Sequence, residues 1–336
     1  MSTINDVAKR AGVSTMTVSR VINNSSYVSQ ETRERVEQAV AELGYVPNAL
    51  ARNLHFKESK TIALVLTDIT NPFFTTVARG VEDIASEQGY SVIFCNTDES
   101  QSEETRYVNI LLQNQIGGVL LVPASGTEAT VSLLQARGTP VVVLDRRVSE
   151  VSVDTVRCDS EQGAYDLIQH LLGLGHRNIA VLCGPQIVST AIDRVAGCYR
   201  ALADSGLDAS AAHVYYDHFT QESGYQMTRQ ALATQPRPTA LFATNNFIAI
   251  GAFGALRDAG LRVPDDISVV AFDDLPPALV IDPFLTVAAQ PAYEMGQKAA
   301  ELLLAHLTDK TPAEPQEIVL PTQIIVRRSS GPVSTF

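Results

Sequence analysis

Several things are missing from this 336-residue chain, and each absence removes a class of protein. Nowhere do about 18 consecutive apolar residues occur, the length a membrane-spanning helix needs. The opening "MSTINDVAKRAG" is polar where a secretory signal would carry an apolar core, so a cytoplasmic location is expected. The four cysteines, Cys95, Cys158, Cys183 and Cys198, form no CxxC pair, and buried reduced thiols are expected. Six histidines are scattered without metal-ligand spacing, so no metal site is expected. There is no GxSxG elbow, Walker loop or catalytic Ser/His/Asp spacing. "GLGHRN" (173–178) is glycine-rich, but it follows a helix and precedes a strand, the reverse of a dinucleotide loop. The adjacent pairs Asp265/Asp266 and Asp273/Asp274 read as loop capping rather than acid–base chemistry. Neither an enzyme nor a cofactor is expected.

What is present is unevenly distributed. The formal net charge is -12, with 45% hydrophobic and 18% charged residues, the balance of a globular protein. Residues 1–60 hold 8 Lys/Arg and 6 Asp/Glu, a net of +2, which leaves -14 on the remainder. A chain this acidic does not coat polyanions indiscriminately, yet it begins with a mildly basic region.

That region divides into short helices. Thr3 with Asp6 three residues on comes close to a capping box at the start of a first helix, which Gly12 ends. Ser14 caps a second, "TMTVSRVIN", with Val18, Val21 and Ile22 on one face. Ser29 caps a third, "QETRERVEQAVAELG", with Val36, Ala39, Val40 and Leu43 inward and Gly44 as its stop. Residues 1–45 thus form one unit and 46–60 a linker, in which Pro47 opens a short helix at 48–54. From residue 61 to 336, apolar runs alternate with amphipathic helices. The strand candidates are "TIALVL", "SVIFCN", "GGVLLVP", "PVVVLD", "NIAVLCG", "HVYYDH", "TALFAT" and "ISVVAF". Near-continuous apolar strands joined by helices predict buried parallel sheets. The length exceeds what one core holds, so two lobes are expected, with a ligand beyond the carboxyl ends of the strands.

Two helices joined at Gly12, the second opening with Ser14, Thr15, Met16 and Thr17, match a helix-turn-helix. Small hydroxyl side chains there permit close approach to phosphates and thymine methyls. Arg20 can pair bidentately with guanine or a phosphate. The segments "TINDVAKRAGVSTMTVSRVIN", "VSQETRERVEQAVAELGYVPNALARNL", "GLGHRNIAVLCGP" and "RVPDDISVVAFDD" together resemble the lactose-repressor (LacI/GalR) family of bacterial transcription regulators. The resemblance spans essentially the whole chain.

The resemblance implies an all-α helix-turn-helix head followed by an α/β effector module of the periplasmic-binding-protein type. Its base-facing positions fall on Thr15, Met16 and Arg20, and other DNA-holding positions on Ile4, Asn5, Ser14, Thr17, Ser19, Asn23, Tyr27 and Ser29. In "PNALARNL" it implies a hinge helix, with Leu54 as a minor-groove wedge supported by Asn48, Ala51 and Arg52. In the module it implies an effector set of Asn71, Phe73, Phe74, Asp145, Arg146, Arg194, Phe219, Asn245, Asp273 and Gln290, all expected near strand ends. Together these resemble the binding set of bacterial ribose-binding proteins. Aromatic faces suit the C–H side of a sugar, and carboxylates and guanidinium groups suit its hydroxyls. Val188 stands where a purine-binding branch carries an arginine, and Asn246 where the family generally has aspartate.

The expected protein is a homodimeric regulator, a repressor of a pseudopalindromic double-stranded DNA operator, with no membrane partner. Ribose or a related monosaccharide leads as effector. A sugar acid or a phosphorylated protein corepressor is the alternative within that class. A sugar-binding transport protein is the alternative class, and it would need a signal peptide and no head. The tail "RRSSGPVSTF" carries no leucine heptads to join dimers into tetramers.

Overall fold

The computed structural model describes residues 2–22, 27–45, 59–124, 128–275, 282–308 and 314–333. The chain divides into two compact units, Met1–Ser59 and Lys60–Phe336.

In the first unit, α1 (Ile4–Ala11) begins at a reciprocal capping box. The Asp6 amide donates to Thr3 Oγ1 at 3.4 Å and the Thr3 amide to Asp6 Oδ2 at 2.8 Å. Gly12 ends it in the left-handed conformation at φ 66°, the turn that admits α2 (Thr15–Ile22). The Thr17 amide donates to Ser14 Oγ at 3.1 Å, so Ser14 caps α2. Ser29 caps α3 (Gln30–Leu43), and Gly44 closes it. The three helices meet over Val7, Val18 and Val36, all fully buried, with Ala8, Ala11, Val21 and Ala39 around them. These side chains are small, which lets short helices approach closely.

The second unit is built on two sheets of the same design. The first lobe runs β1 (Thr61–Leu66), α4 (Pro72–Glu87), β2 (Ser91–Asn96), α5 (Gln101–Gln113), β3 (Gly118–Leu121), α6 (Glu128–Ala136), β4 (Val141–Leu144) and β5 (Asp154–Cys158). The second runs α7 (Ser160–Gly173), β6 (Ile179–Cys183), α8 (Ser189–Asp204), β7 (Ala212–Tyr216), α9 (Gln221–Leu232), β8 (Ala240–Ala243), α10 (Asn246–Asp258), β9 (Ser268–Phe272) and β10 (Thr286–Ala289). The chain then returns to the first lobe as α11 (Ala292–Thr308) and β11 (Glu317–Leu320), and ends in the second with β12 (Gln323–Ile325). The orders are β11-β5-β4-β3-β1-β2 and β12-β10-β9-β8-β6-β7, so the lobes repeat strand for strand. All described pairings are parallel except β10 with β12. The strands β3, β4, β6, β8 and β9 are buried along their whole length, as sheets covered by helices on both faces require.

The return of α11 is fixed by close packing against α4. A Cβ on Gly296 would stand 2.1 Å from the Val77 carbonyl oxygen, and one on Gly80 2.2 Å from that of Tyr293. In each sheet the strand order reverses beside β1 and β6, and such switch points form crevices at the carboxyl ends of strands. Four strands, β5, β10, β11 and β12, lie outside the eight apolar runs of the sequence. They are short, and β11 and β12 sit at sheet edges.

Candidate functional site

The positions expected to face DNA lie on the outside of the first unit. Ile4, Asn5, Ser14, Thr15, Met16, Thr17, Ser19, Arg20, Tyr27 and Ser29 are all exposed or half-buried, and none belongs to the buried core. Met16 is 63% exposed and Tyr27 95%, so neither large side chain is held by that core. Ser14 Oγ lies 3.0 Å from Thr17 Oγ1, so the start of α2 presents two hydroxyls and the positive end of the helix dipole. Asn23 and the hinge positions Asn48, Ala51, Arg52 and Leu54 lie outside the described residues.

In the second unit a cavity of about 520 Å³ opens between the lobes at the strand carboxyl ends. All ten expected effector residues line it. Asn71 caps α4, with Phe73 and Phe74 in its first turn, and Asp145 and Arg146 follow β4. From the second lobe come Phe219 before α9, Asn245 capping α10 and Asp273 after β9. Gln290 follows β10, where the chain recrosses to the first lobe. Arg194 departs from the expectation of a strand-end position. It stands inside α8, in the second turn, and its length carries the guanidinium to the cavity.

The walls are tightly constrained. Phe73 and Phe74 meet edge to face with centroids 5.0 Å apart and also belong to the first lobe's core. Phe219 lies over Gly184, where a Cβ would come within 2.2 Å of its ring. Asp145 and Asp273 occupy equivalent strand ends in the two lobes, and both hold a left-handed backbone, φ 64° and 69°. That conformation costs a non-glycine residue roughly 1–3 kcal/mol, and here it accompanies two carboxylates lining the cleft.

Charge in the cavity is organised around Arg194, 3% exposed. Its Nη1 donates to the Thr244 carbonyl at 2.6 Å, and its guanidinium lies 3.8 Å from the Phe272 ring centroid. Burial pushes the Asp145 carboxyl up to about 6, against the opposing pull of Arg146 and Arg194. Burial raises Asp273 as well, offset by Arg194 and by Gln290, whose Nε2 donates to Oδ1 at 2.6 Å. Four buried atoms of lining residues have no partner among the described residues: Arg146 Nε, Arg194 Nε, Gln290 Oε1 and Thr67 Oγ1. Each such atom costs about 1–3 kcal/mol until something hydrogen-bonds it.

Several participants were not legible in the sequence. Glu99 takes both terminal nitrogens of Arg146, Nη1 at 2.6 Å and Nη2 at 2.5 Å. Asp98, Ile187 and His218 line the same cavity. Asp98 and Glu99 adopt φ 50° and 57° just after β2, so a strict strand-end rule would have found them. Asn246, fully buried, exchanges two hydrogen bonds with Asn71, at 3.2 and 3.0 Å. An aspartate there could not donate back, so this amide ties one lobe to the other. A second tie is ionic, with Arg147 paired bidentately to Asp193 at 2.8 and 2.5 Å.

This two-lobed cleft and the three-helix unit both have close counterparts. Residues 59–327 match the periplasmic binding proteins and sugar binding domain of the LacI family, and residues 3–48 match the bacterial regulatory proteins of the lacI family. The chain belongs to the LacI family of bacterial regulatory proteins. The ribose operon repressor of Halalkalibacterium halodurans is 38% identical over 330 residues, 98% of this chain and 97% of that one. A LacI family regulator from Enterococcus faecium solved with bound ribose is 34% identical, with a TM-score of 0.73 over 82% of this chain and 100% of that one. The lac repressor dimer bound to operator and the anti-inducer ONPF is 29% identical, with a TM-score of 0.83 over 98% of this chain and 99% of that one. This LacI-family chain is a DNA-binding transcription regulator with a sugar-binding module, and the relatives it matches are regulators rather than enzymes. Among its described residues, no helix is long and apolar enough to cross a membrane.

Proposed function

We propose that this regulator works in the cytoplasm as a homodimeric repressor, and that a neutral monosaccharide, ribose foremost, controls its grip on a pseudopalindromic operator. One observation carries the sugar assignment. Ten side chains from both lobes line one cavity, where aromatic rings stand beside carboxylates, guanidinium groups and amides. A pentose pairs with the polar lining groups through its hydroxyls while its C–H face meets Phe73, Phe74 or Phe219. The ribose operon repressor and the ribose-bound relative support the same ligand.

In this reading Thr15, Met16 and Arg20 meet base edges from α2, with Ser14, Thr17, Ser19, Tyr27, Ser29, Ile4 and Asn5 on bases or backbone. Residues 46–60, including Asn48, Ala51, Arg52 and Leu54, relay the state of the lobes to the head. Two-fold symmetry of the dimer then matches two half-sites. The sugar acts by binding the two lobe arrangements unequally, which shifts the population between DNA-competent and DNA-released forms. It leaves unchanged, without turnover.

The test is a thermal-shift screen of the full chain against ribose, other pentoses, hexoses, sugar acids and purines. A ligand at 100 times its Kd stabilises by about 2.7 kcal/mol, a plain shift in Tm. A shift with ribose that Asp273→Ala abolishes supports the reading. No response to any neutral sugar overturns it.

A further inference from the structure

The cavity contains two arginines, and only one of them is positioned to meet a ligand as a cation. Arg194 interacts electrostatically with Asp145 and Asp273, but among the described residues none of its nitrogens is at hydrogen-bond distance from a carboxylate, and Nη1 donates to the Thr244 carbonyl. Arg146 is different. Both its terminal nitrogens are taken by the two oxygens of Glu99, and Nη1 also donates to the Pro123 carbonyl at 2.8 Å. Its Nε, buried without a partner, lies 3.8 Å from Asp145 Oδ2. Arg146 is only 5% exposed, so this double neutralisation occurs out of water, where charge pairing is strongest.

The pair spans two loops distant in sequence. Glu99 belongs to the turn after β2, where Asp98 and Glu99 both hold a left-handed backbone that turns the carboxylate inward. Its side chain is 36% exposed, so it sits at the boundary between cavity and solvent. Counting charged lining residues, Asp68, Asp98, Glu99, Asp145 and Asp273 face Arg146 and Arg194. A carboxylate or phosphate entering this space meets an excess of like charge and finds the more accessible bidentate guanidinium edge already occupied.

We propose that Glu99 is the specificity residue that sets the charge class of the effector: by occupying the Arg146 fork it reserves the cavity for neutral sugars and rejects sugar acids and sugar phosphates. Arg146 still forms part of the cavity wall that a neutral ligand packs against, while its capacity to capture an anion is suppressed. This rests on the monosaccharide reading of the cavity and adds to it a residue that acts through Arg146 rather than by touching the sugar.

The experiment is calorimetric titration of the full-length wild type and three variants with D-ribose, D-ribonate and D-ribose 5-phosphate at fixed ionic strength. The wild type is expected to bind ribose at least a hundredfold more tightly than either anion. In Glu99→Gln the ratio of ribose to anion affinity narrows at least tenfold, because a neutral amide no longer neutralises the fork of the Arg146 guanidinium. In the double variant Glu99→Gln with Arg146→Met the ratio returns toward the wild-type value, which a merely structural role for Glu99 would not produce. Glu99→Asp, charged but one methylene short, falls between. A wild type that binds ribonate or ribose 5-phosphate as tightly as ribose overturns the proposal without any variant. So does an unchanged ratio in Glu99→Gln that still binds ribose. A wild type that binds none of the three overturns ribose as the effector and this proposal with it.

Discussion

The head and the effector module solve recognition in opposite ways. In the head the described candidate contacts are exposed or half-buried, on or beside helices whose packed side is a small alanine–valine core, and Ile4 also packs against that core. In the module the candidate contacts are mostly buried, several with polar atoms that the protein itself leaves unpaired. The first design suits a polyanion met in water, where screened charge and helix termini act over short range. The second suits a neutral polyol taken out of water, where unpaired hydrogen-bonding groups penalise every ligand that cannot satisfy them. The net charges follow the same division, +2 for residues 1–60 and -14 for the rest.

Salt should separate the two sites most strongly. Operator binding by the dimer is expected to weaken on the order of a thousandfold between 50 and 200 mM salt, as counterion release dictates. Sugar binding should change less than about twofold. Fluorescence anisotropy on a duplex recovered by in vitro selection, beside calorimetry of the sugar, measures both. Equal salt dependence would erase the contrast.

Arg194→Met comes next. It removes a cation that counters the burial of Asp145 and Asp273, and breaking such a buried arrangement costs about 3–5 kcal/mol. Sugar affinity is expected to fall at least a hundredfold. The isolated effect on the head, read as binding to non-specific DNA, should be absent.

The pH response is smaller. Burial raises the Asp145 pKa to about 6, so the folded protein takes up a proton that the unfolded chain, near the ordinary aspartate value, does not. The stability associated with this group is therefore greatest below about pH 4 and is lost as pH rises to about 6. A sugar hydroxyl donating to the carboxylate favours the ionised form. Affinity is then highest above pH 6 and falls roughly tenfold by pH 5, readable by calorimetry at the two pH values. A flat profile would mean that Asp145 does not accept from the ligand.

Asn246→Asp probes the tie between the lobes and should have the smallest effect on sugar affinity. The new carboxylate still accepts from Asn71 Nδ2 but can no longer donate to Asn71 Oδ1, which keeps its bond from the Phe73 amide at 3.0 Å. The buried charge and the facing oxygens cost at least about 1–3 kcal/mol of stability, with a few-fold change in sugar affinity at most. Differential scanning calorimetry with and without sugar checks it.

The same contrast explains what the sequence alone disclosed. Helix ends in the head were legible because capping is local: Thr3 with Asp6, Gly12, Ser29 and Gly44 each declare themselves within a few residues. The apolar runs gave away the central strands for a similar reason. Strands such as β5 ("DTVRC") and β11 ("EIVL") are strands because of the neighbours they pair with, and their composition does not announce it. In the site, Asn71, Asp145, Asn245 and Asp273 were named through the resemblance, and their places after apolar runs agreed with the strand-end rule. The Asn71–Asn246 pair spans 175 residues, and the Arg146–Glu99 pair joins separate loops, so both depend on the fold for their existence. Arg194 was readable as a site residue only through resemblance, because its place inside a helix gives no strand-end signal.

The most direct test of the account is the coupling between the two sites. Operator affinity would be measured on the full chain with and without saturating concentrations of the sugar that raises its Tm, and sugar affinity with and without saturating operator. The account predicts that each ligand changes the other's affinity by the same factor, in the range of about 5- to 150-fold typical of allosteric coupling. Unchanged operator affinity in the presence of a sugar that demonstrably fills the cavity would contradict it.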